Sequence, residues 1–144
     1  MVLIGTSTLV AALKAAAEPT RLRILALLAN GAFSVKDLTR ILGQSQPRLS
    51  RHLKLLVEAG LIERAPEGSW VYFHLADRTS GIARLVLEQL DPADATLARD
   101  RQRVDAVKRE RAAAAQAYFA AHAANWDEMR KLHISEAEVE RAML

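Results

Sequence analysis

No cysteine occurs among the 144 residues of the chain. This absence excludes disulfides, thiolate metal sites and cysteine nucleophiles together, and it fits a reducing compartment such as the cytoplasm. No apolar run approaches the roughly 18 residues that a membrane-spanning helix needs, so we expect no membrane partner. The apolar start, residues 1–5, has no basic segment before it and is soon followed by Lys14, which makes it a poor signal peptide.

Recognisable enzyme motifs are missing as well. The chain has no glycine-rich phosphate loop, no G-x-S-x-G, no H-E-x-x-H and no carboxylate pair in a recognisable setting. We therefore expect a protein that is not an enzyme and that carries no cofactor.

The net charge is only +3, but positive charge is concentrated in one stretch. Residues 38–57 include Arg40, Arg48, Arg51 and Lys54 and no acidic residue. A positive stripe on a nearly neutral chain indicates an element that faces a polyanion. Taken alone, the same stripe is more often a solvated helix face, so its meaning depends on the structure around it.

Apolar spacing predicts four short helices followed by a β-hairpin. The helices are expected over residues 8–17, over 21–29, from a Ser34 cap to Gly43, and from a Ser45 cap to Gly60. The hairpin is expected from strands over 61–65 and 70–75, with a turn at 66–69. Two short helices joined at Gly43, the second one basic and capped, match a helix-turn-helix, and the hairpin after them would be its wing.

Further helices are predicted over residues 80–90, from 93 to about 125, and from Ser135 onward. The expected fold is therefore mainly α, a winged helix-turn-helix with a two-stranded wing and a long C-terminal helical extension. We expect a DNA-binding and dimerisation domain over residues 1–91 and a helical extension over residues 92–144.

The fourth helix carries the residues that are suited to reading DNA. Gln46, Arg48 and Arg51 should project from its leading turns. Arginine can bond guanine bidentately, and glutamine can bond adenine, in the major groove. Ser50 and Lys54 are better suited to phosphate oxygens, which position a protein without reading sequence.

Three ring side chains near this helix each have two interpretations. His52 lies beside the apolar stripe of the fourth helix and is either a packed histidine bonded to the backbone or a DNA contact. Trp70 and Tyr72 on the second strand could touch phosphate, but we favour packing against the long helix.

Four segments carry a resemblance to a known family. Residues 18–25 (EPTRLRIL), 49–56 (LSRHLKLL), 59–62 (AGLI) and 68–72 (GSWVY) resemble the ArsR/SmtB family of repressors, and the resemblance extends over about residues 9–75. It implies a dimeric winged helix whose fourth helix enters the major groove of double-stranded operator DNA and is released by an effector. The positions that it carries over are Gly68 as the wing turn and, on the recognition helix, Ser45, Gln46, Arg48, Ser50, Arg51 and His52.

A homodimer is also expected from apolar faces that a small core cannot fully cover. Pairing two such faces across a two-fold axis would bury both of them, and the family resemblance implies the same two helices. The residues concerned are Leu9, Val10 and Leu13 on the first helix and Ile82, Leu85 and Val86 on the helix after the wing.

Metal sensing is not expected. The spacing of His122, His133 and Glu136 is similar to the ligand set of metal-sensing members of the family. It lies far downstream of the wing, however, and Ala120 stands where that pattern has a carboxylate. Because a closed site needs four ligands, we interpret the spacing as a coincidence and assign no metal site.

The tail resembles a longer architecture. Residues 90–94, 111–119 and 126–139 resemble the connecting region of ArsR-type regulators fused to a methyltransferase domain. This implies an effector related to S-adenosylmethionine, sensed by a further domain, so we expect residues 1–144 to bind DNA without any small molecule. The effector itself stays unknown. Tyr118, Phe119 and Trp126 are either docking anchors or caps onto the last helix.

The sequence therefore predicts a sequence-specific, double-stranded DNA-binding transcriptional regulator, a repressor that acts as a homodimer. The alternative is a helical protein-interaction or scaffold module, for which the long helix is the argument. A scaffold should show no steep salt dependence of DNA binding, and this separates the two.

Overall fold

The computed structural model describes residues 3–76 and 80–132 and confirms the predicted winged helix-turn-helix. The predicted helix from Ser135 onward lies outside the described residues. The elements follow one another as α1 (Thr6–Ala16), α2 (Pro19–Leu28), β1 (Phe33–Ser34), α3 (Val35–Leu42), α4 (Gln46–Glu58), β2 (Ile62–Glu67), β3 (Trp70–Leu75), α5 (Ser80–Leu87) and α6 (Ala95–Leu132).

Side-chain caps explain where the central helices begin. Glu18 caps α2, because its carboxylate accepts a 2.8 Å hydrogen bond from the Arg21 backbone amide. Ser34 and Asp37 cap α3 reciprocally, each side chain accepting from the other's backbone amide at 3.2 Å. Gly43 ends α3 in the left-handed conformation, with φ of 66°, and this reverses the chain toward α4.

The sheet has three antiparallel strands in the order β1-β3-β2, where a two-stranded wing was predicted. Strand β1 has two residues, too few to show an alternating pattern, and its Phe33 pairs with Phe73 of β3. Pro66, predicted in the turn, continues β2 instead. That strand is at the edge of the sheet, where a residue without an N–H is tolerated.

One apolar core joins the four short helices to the sheet. Leu49, Leu53 and Leu56 of α4 are buried in it together with residues of α2 and α3, such as Ile24 and Ile41. The contacts divide the chain into one unit over residues 1–107 and another over residues 108–144. The first unit thus includes the opening turns of α6. The predicted boundary near residue 92 stays a prediction.

The bounds of the last two helices differ from the expectation. Helix α5 ends at Leu87 rather than at residue 90, and α6 begins at Ala95 rather than at 93 and continues to Leu132 rather than to about 125. Asp94 accepts hydrogen bonds from the amides of Thr96 and Leu97 at 3.0 and 3.2 Å, so it caps α6 and fixes its first residue.

Candidate nucleic-acid interface

The start of α4 is fixed by Ser45. Its hydroxyl oxygen accepts a hydrogen bond from the Arg48 backbone amide at 3.4 Å, and Pro47 occupies the first turn, where no N–H is needed. A fixed first residue determines which side chains lead the helix. The predicted cap is therefore confirmed, and it places Gln46, Arg48 and Arg51 on the first turns of α4.

The two faces of α4 are chemically opposite. Leu49, Leu53 and Leu56 are fully or almost fully buried. Successive residues are about 100° apart on a helix, so Arg51 lies opposite Leu49. The exposed residues of this helix include every DNA contact predicted within α4 except His52, namely Gln46, Arg48, Ser50, Arg51 and Lys54.

An open depression of about 400 Å³ lies at the N-terminal end of α4, lined by Ser45, Pro47, Arg48, Arg51 and His52. Two guanidinium groups and the positive end of the helix dipole meet there. The first carboxylate after Ser45 along α4 is Glu58, in the last turn of the helix. This end of α4 is therefore cationic and open to solvent, as binding to a polyanion requires.

Lys54 has a partner on its own helix. Its ammonium lies 4.0 Å from the Glu58 carboxylate, four residues further along, and both side chains are largely exposed to solvent. Exposed ion pairs of this kind are weak and are screened by salt. The pair therefore leaves Lys54 able to bind a phosphate.

His52 has a different partner from the one expected. Its ring is partly buried, and Nδ1 accepts a 3.1 Å hydrogen bond from Nη1 of Arg21, on α2, rather than bonding the backbone. This contact places the neutral imidazole proton on Nε2. Arg21 also donates from Nε to the carbonyl oxygen of Ala15 at 2.5 Å. The arginine thus links the end of α1 to α4.

Burial lowers the pKa of His52, and the positive charges of Arg21, Arg48 and Arg51 lower it further. The Glu18 carboxylate, 3.8 Å from the ring, opposes this shift. Burial alone would raise the pKa of Glu18, but hydrogen bonds from the Arg21 and Thr20 backbone amides, together with the nearby cations, lower it. The arrangement therefore favours a neutral imidazole on His52 and an ionised carboxylate on Glu18.

The wing ends in a turn at Gly68, whose φ of 63° is in the left-handed region. Glu67 and Trp70 form the last pair of β2 and β3 before this turn. All five residues from 66 to 70 are exposed, and the Trp70 side chain retains 51% of its accessible surface. Trp70 is thus half-exposed at the wing, next to Gly68.

The predicted dimer residues differ in exposure. Leu85 on α5 is 57% exposed and Leu13 on α1 is 45% exposed. Leu9 and Val10 are also exposed, whereas Val86 is half-buried and Ile82 packs against the core of its own chain. Both helices present apolar surface to solvent, but Ile82 contributes less of it than the sequence pattern suggested.

His122 is engaged locally. Its Nδ1 donates a 2.8 Å hydrogen bond to the Tyr118 carbonyl oxygen, and the two rings stack with centroids 4.2 Å apart. Among the residues whose side chains the structure describes, no three histidine, cysteine or carboxylate groups form a cluster that could hold a metal. His133 and Glu136, the other members of the spacing noted in the sequence, lie outside the described residues. No helix in that described part is long and apolar enough to cross a membrane.

Two charged residues of α6 that the sequence did not single out make buried contacts. The Asp100 carboxylate accepts two hydrogen bonds from Arg23 of α2, at 2.8 and 2.9 Å, and Asp100 is 2% exposed. Arg103 donates from Nη1 to the carbonyl oxygen of Ile41, at the end of α3, at 3.0 Å. The sequence feature that could have indicated these contacts is the helical spacing of the two positions with Val104 and Val107, which pack against the core.

Comparison with known proteins shows which family the chain is similar to. A family model described as "Bacterial regulatory protein, arsR family" matches residues 18–64. An uncharacterised helix-turn-helix transcriptional regulator of Methanocaldococcus jannaschii is 42% identical over 77 residues, which are 52% of this chain and 86% of that protein. The arsenical resistance operon repressor of Escherichia coli is 40% identical over 77 residues, 53% of this chain and 66% of the repressor.

A solved structure agrees with both the fold and the similarity of sequence. The homodimeric winged helix-turn-helix DNA-binding domain of a possible ArsR-family regulator from Mycobacterium bovis superposes with a TM-score of 0.52 at 32% identity. The match covers 58% of this chain and 76% of that domain. These similarities concern little more than half of the chain.

Proposed function

This chain belongs to the ArsR family of bacterial regulatory proteins, and we propose that it is a repressor that binds a two-fold symmetric operator as a homodimer. The observation that carries the proposal is the cationic outer face of α4, which lies opposite the buried leucine stripe and begins at a capped N-terminus. A related protein of Escherichia coli is an operon repressor, and a related domain of Mycobacterium bovis is homodimeric.

In this proposal residues 45–59 enter the major groove. Gln46, Arg48 and Arg51 contact base edges, because their side chains leave the exposed side of the leading turns. Ser50 and Lys54 contact phosphates and set the position of the helix along the duplex. For His52 we propose a different role from the predicted DNA contact: its hydrogen bond with Arg21 supports a residue that holds α4 against α2 rather than one that reads a base.

The wing, residues 66–70, lies against the DNA backbone in the same proposal. Gly68 serves there through its conformation, since a positive φ strains any residue with a Cβ. A Cβ added at Gly68 would meet no atom within 4 Å. Glycine is therefore favoured at position 68 by the backbone conformation of the turn and not by a lack of space for a side chain.

The proposed dimer joins α1 and α5 of one copy to those of another. Burying the half-exposed leucines and Val10 removes apolar surface from water, and a two-fold axis would place two recognition helices about 34–36 Å apart, one turn of DNA. Leu85→Glu should convert the chain to monomer in sedimentation velocity at micromolar concentration. Leu3→Glu, a control at an exposed leucine outside both helices, should leave the dimer intact. A parent chain that sediments as a monomer would remove the basis for the operator spacing.

The experiment that tests the whole proposal is selection of duplexes from a random library, followed by affinity measurements over a range of salt. We expect an enriched, two-fold symmetric sequence that binds at least about a thousandfold more tightly than random DNA. Binding to both duplexes should weaken steeply as salt rises. Failure to enrich any sequence, with no steep salt dependence, would favour the scaffold alternative.

The effector is proposed to be sensed outside these residues. The tail's resemblance to regulators fused to a methyltransferase domain supports an S-adenosyl compound rather than a thiolate-bound metal. Calorimetry of this 144-residue chain with S-adenosylhomocysteine should show no binding, and the compound should leave operator affinity unchanged. Micromolar binding would place the effector site within this chain.

A further inference from the structure

The first turns of α6 present a mixed face to the winged helix. Asp100, Arg103, Val104 and Val107 are spaced i, i+3, i+4 and i+7, so they share one side of the helix. Val107 is buried in the core, and Val104 packs against it. The two charged residues on this side are also directed into the protein, where each has a defined partner.

Asp100 ties α6 to α2. Its two carboxylate oxygens each accept from a different nitrogen of Arg23, in the bidentate geometry that also fixes orientation. Donating these hydrogen bonds to the Asp100 carboxylate raises the pKa of Arg23. Such a pair is sensitive to position because both hydrogen bonds form only in one relative orientation of the two groups.

Arg103 ties α6 to the end of α3. The Ile41 carbonyl is among the last four of α3, which have no intrahelical donor, and Arg103 supplies one. A cation is also favoured at the C-terminal end of a helix. Two residues further on, Gly43 turns the chain toward the Ser45 cap of α4.

The turn itself is held from the other side by α2. Gln44 donates from Nε2 to the Thr20 hydroxyl at 3.0 Å. Helix α2 therefore contacts both the turn, through Thr20, and α6, through Arg23. Helix α6 in turn contacts α2 and the last residues before the turn. Together these contacts link α2, α6 and the turn between α3 and α4 to one another.

We propose that Asp100 and Arg103 are positioning residues for operator recognition, because their contacts with α2 and with the end of α3 hold the turn before α4 and thereby fix the angle at which α4 meets DNA. The inference rests on the proposed DNA-binding function. It places part of the recognition machinery on the long helix, beyond the family-model match over residues 18–64.

The test uses the full 144-residue chain and the duplex that the parent chain selects, with a scrambled duplex for comparison. Arg103→Met keeps an unbranched side chain of similar helix propensity but removes the hydrogen-bond donors. Asp100→Asn disrupts the bidentate pair, and Arg103→Lys restores a donor for the carbonyl. Arg99→Met is the matched control, an exposed arginine on the same helix.

The readout is the ratio of operator to scrambled affinity within one preparation, since an unfolded fraction lowers both affinities equally and leaves their ratio unchanged. We expect Arg103→Met and Asp100→Asn to lower this ratio about tenfold or more, Arg103→Lys to recover most of it, and Arg99→Met to leave it unchanged.

An unchanged ratio in both Arg103→Met and Asp100→Asn would overturn the inference, with the proposed function still standing. A parent chain that selects no duplex would instead overturn the function. If Arg103→Met does not fold, the Asp100→Asn ratio decides alone.

Discussion

On α4 the side chains of Arg48 and Arg51 are exposed to solvent, whereas on α6 those of Asp100 and Arg103 turn inward and bond other helices. Both helices are rich in charged residues. The number of charges therefore does not distinguish a helix face exposed to solvent from one that packs against other helices. The apolar residues that share a face with each charge do distinguish them. On α4 the arginines lie away from the leucine stripe, and on α6 the two charged residues lie on the same side as Val104 and Val107.

The largest effect should come from the inner face of α4. Leu53→Ala removes a side chain that is 2% exposed, and such truncations lower the free energy of unfolding by about 2–5 kcal/mol. Leu55→Ala, at a half-exposed leucine of the same helix, should lower it by less than about 1 kcal/mol. Urea unfolding followed by circular dichroism measures both. Equal losses would show that the two faces of α4 are not distinct.

A smaller effect is expected on the inner face of α6. Asp100→Asn leaves the part-buried Arg23 with a weaker partner and should lower the free energy of unfolding by about 1–3 kcal/mol. Asp105→Asn, at an exposed carboxylate of the same helix, should change it by less than about 0.5 kcal/mol. If the two variants unfold alike in urea, the Asp100 contact does not hold α6 as described.

The smallest effect concerns pH. The pKa of His52 is lower in the folded chain than its ordinary value of about 6.5, so the unfolded chain binds a proton more readily. The stability gained from neutral His52 is fully present above that ordinary value and is lost as pH falls through the folded pKa. The free energy of unfolding of the parent should therefore fall from pH 8 to 5 more steeply than that of His52→Gln. Parallel pH profiles for the two chains would contradict this.

The parts of the fold that depend on local pattern could be predicted from the sequence. The leucine spacing of α4, the caps at Ser34 and Ser45, and the alternation in β3 each depend on residues close together in the chain. Strand β1 could not be predicted in this way, because two residues show no period and its pairing with β3 joins positions about 40 residues apart.

The same limit applies to the candidate site. The exposed cations of α4 follow from the helical period, but the partners of His52 and Asp100 are 31 and 77 residues away. A histidine beside an apolar stripe indicates partial burial without indicating that Arg21 will bond it. Charged residues on an alanine-rich helix ordinarily indicate a solvated surface, and only the packing of α6 on α2 and α3 shows otherwise.

The most direct test compares the proposed base contacts of α4 with its proposed phosphate contact at one salt concentration. Arg48→Ala and Arg51→Ala should each weaken operator binding by about 1–3 kcal/mol and leave scrambled DNA less affected. Lys54→Ala should weaken both duplexes alike. If both arginine variants bind operator and scrambled DNA as the parent does, the outer face of α4 does not read the operator sequence.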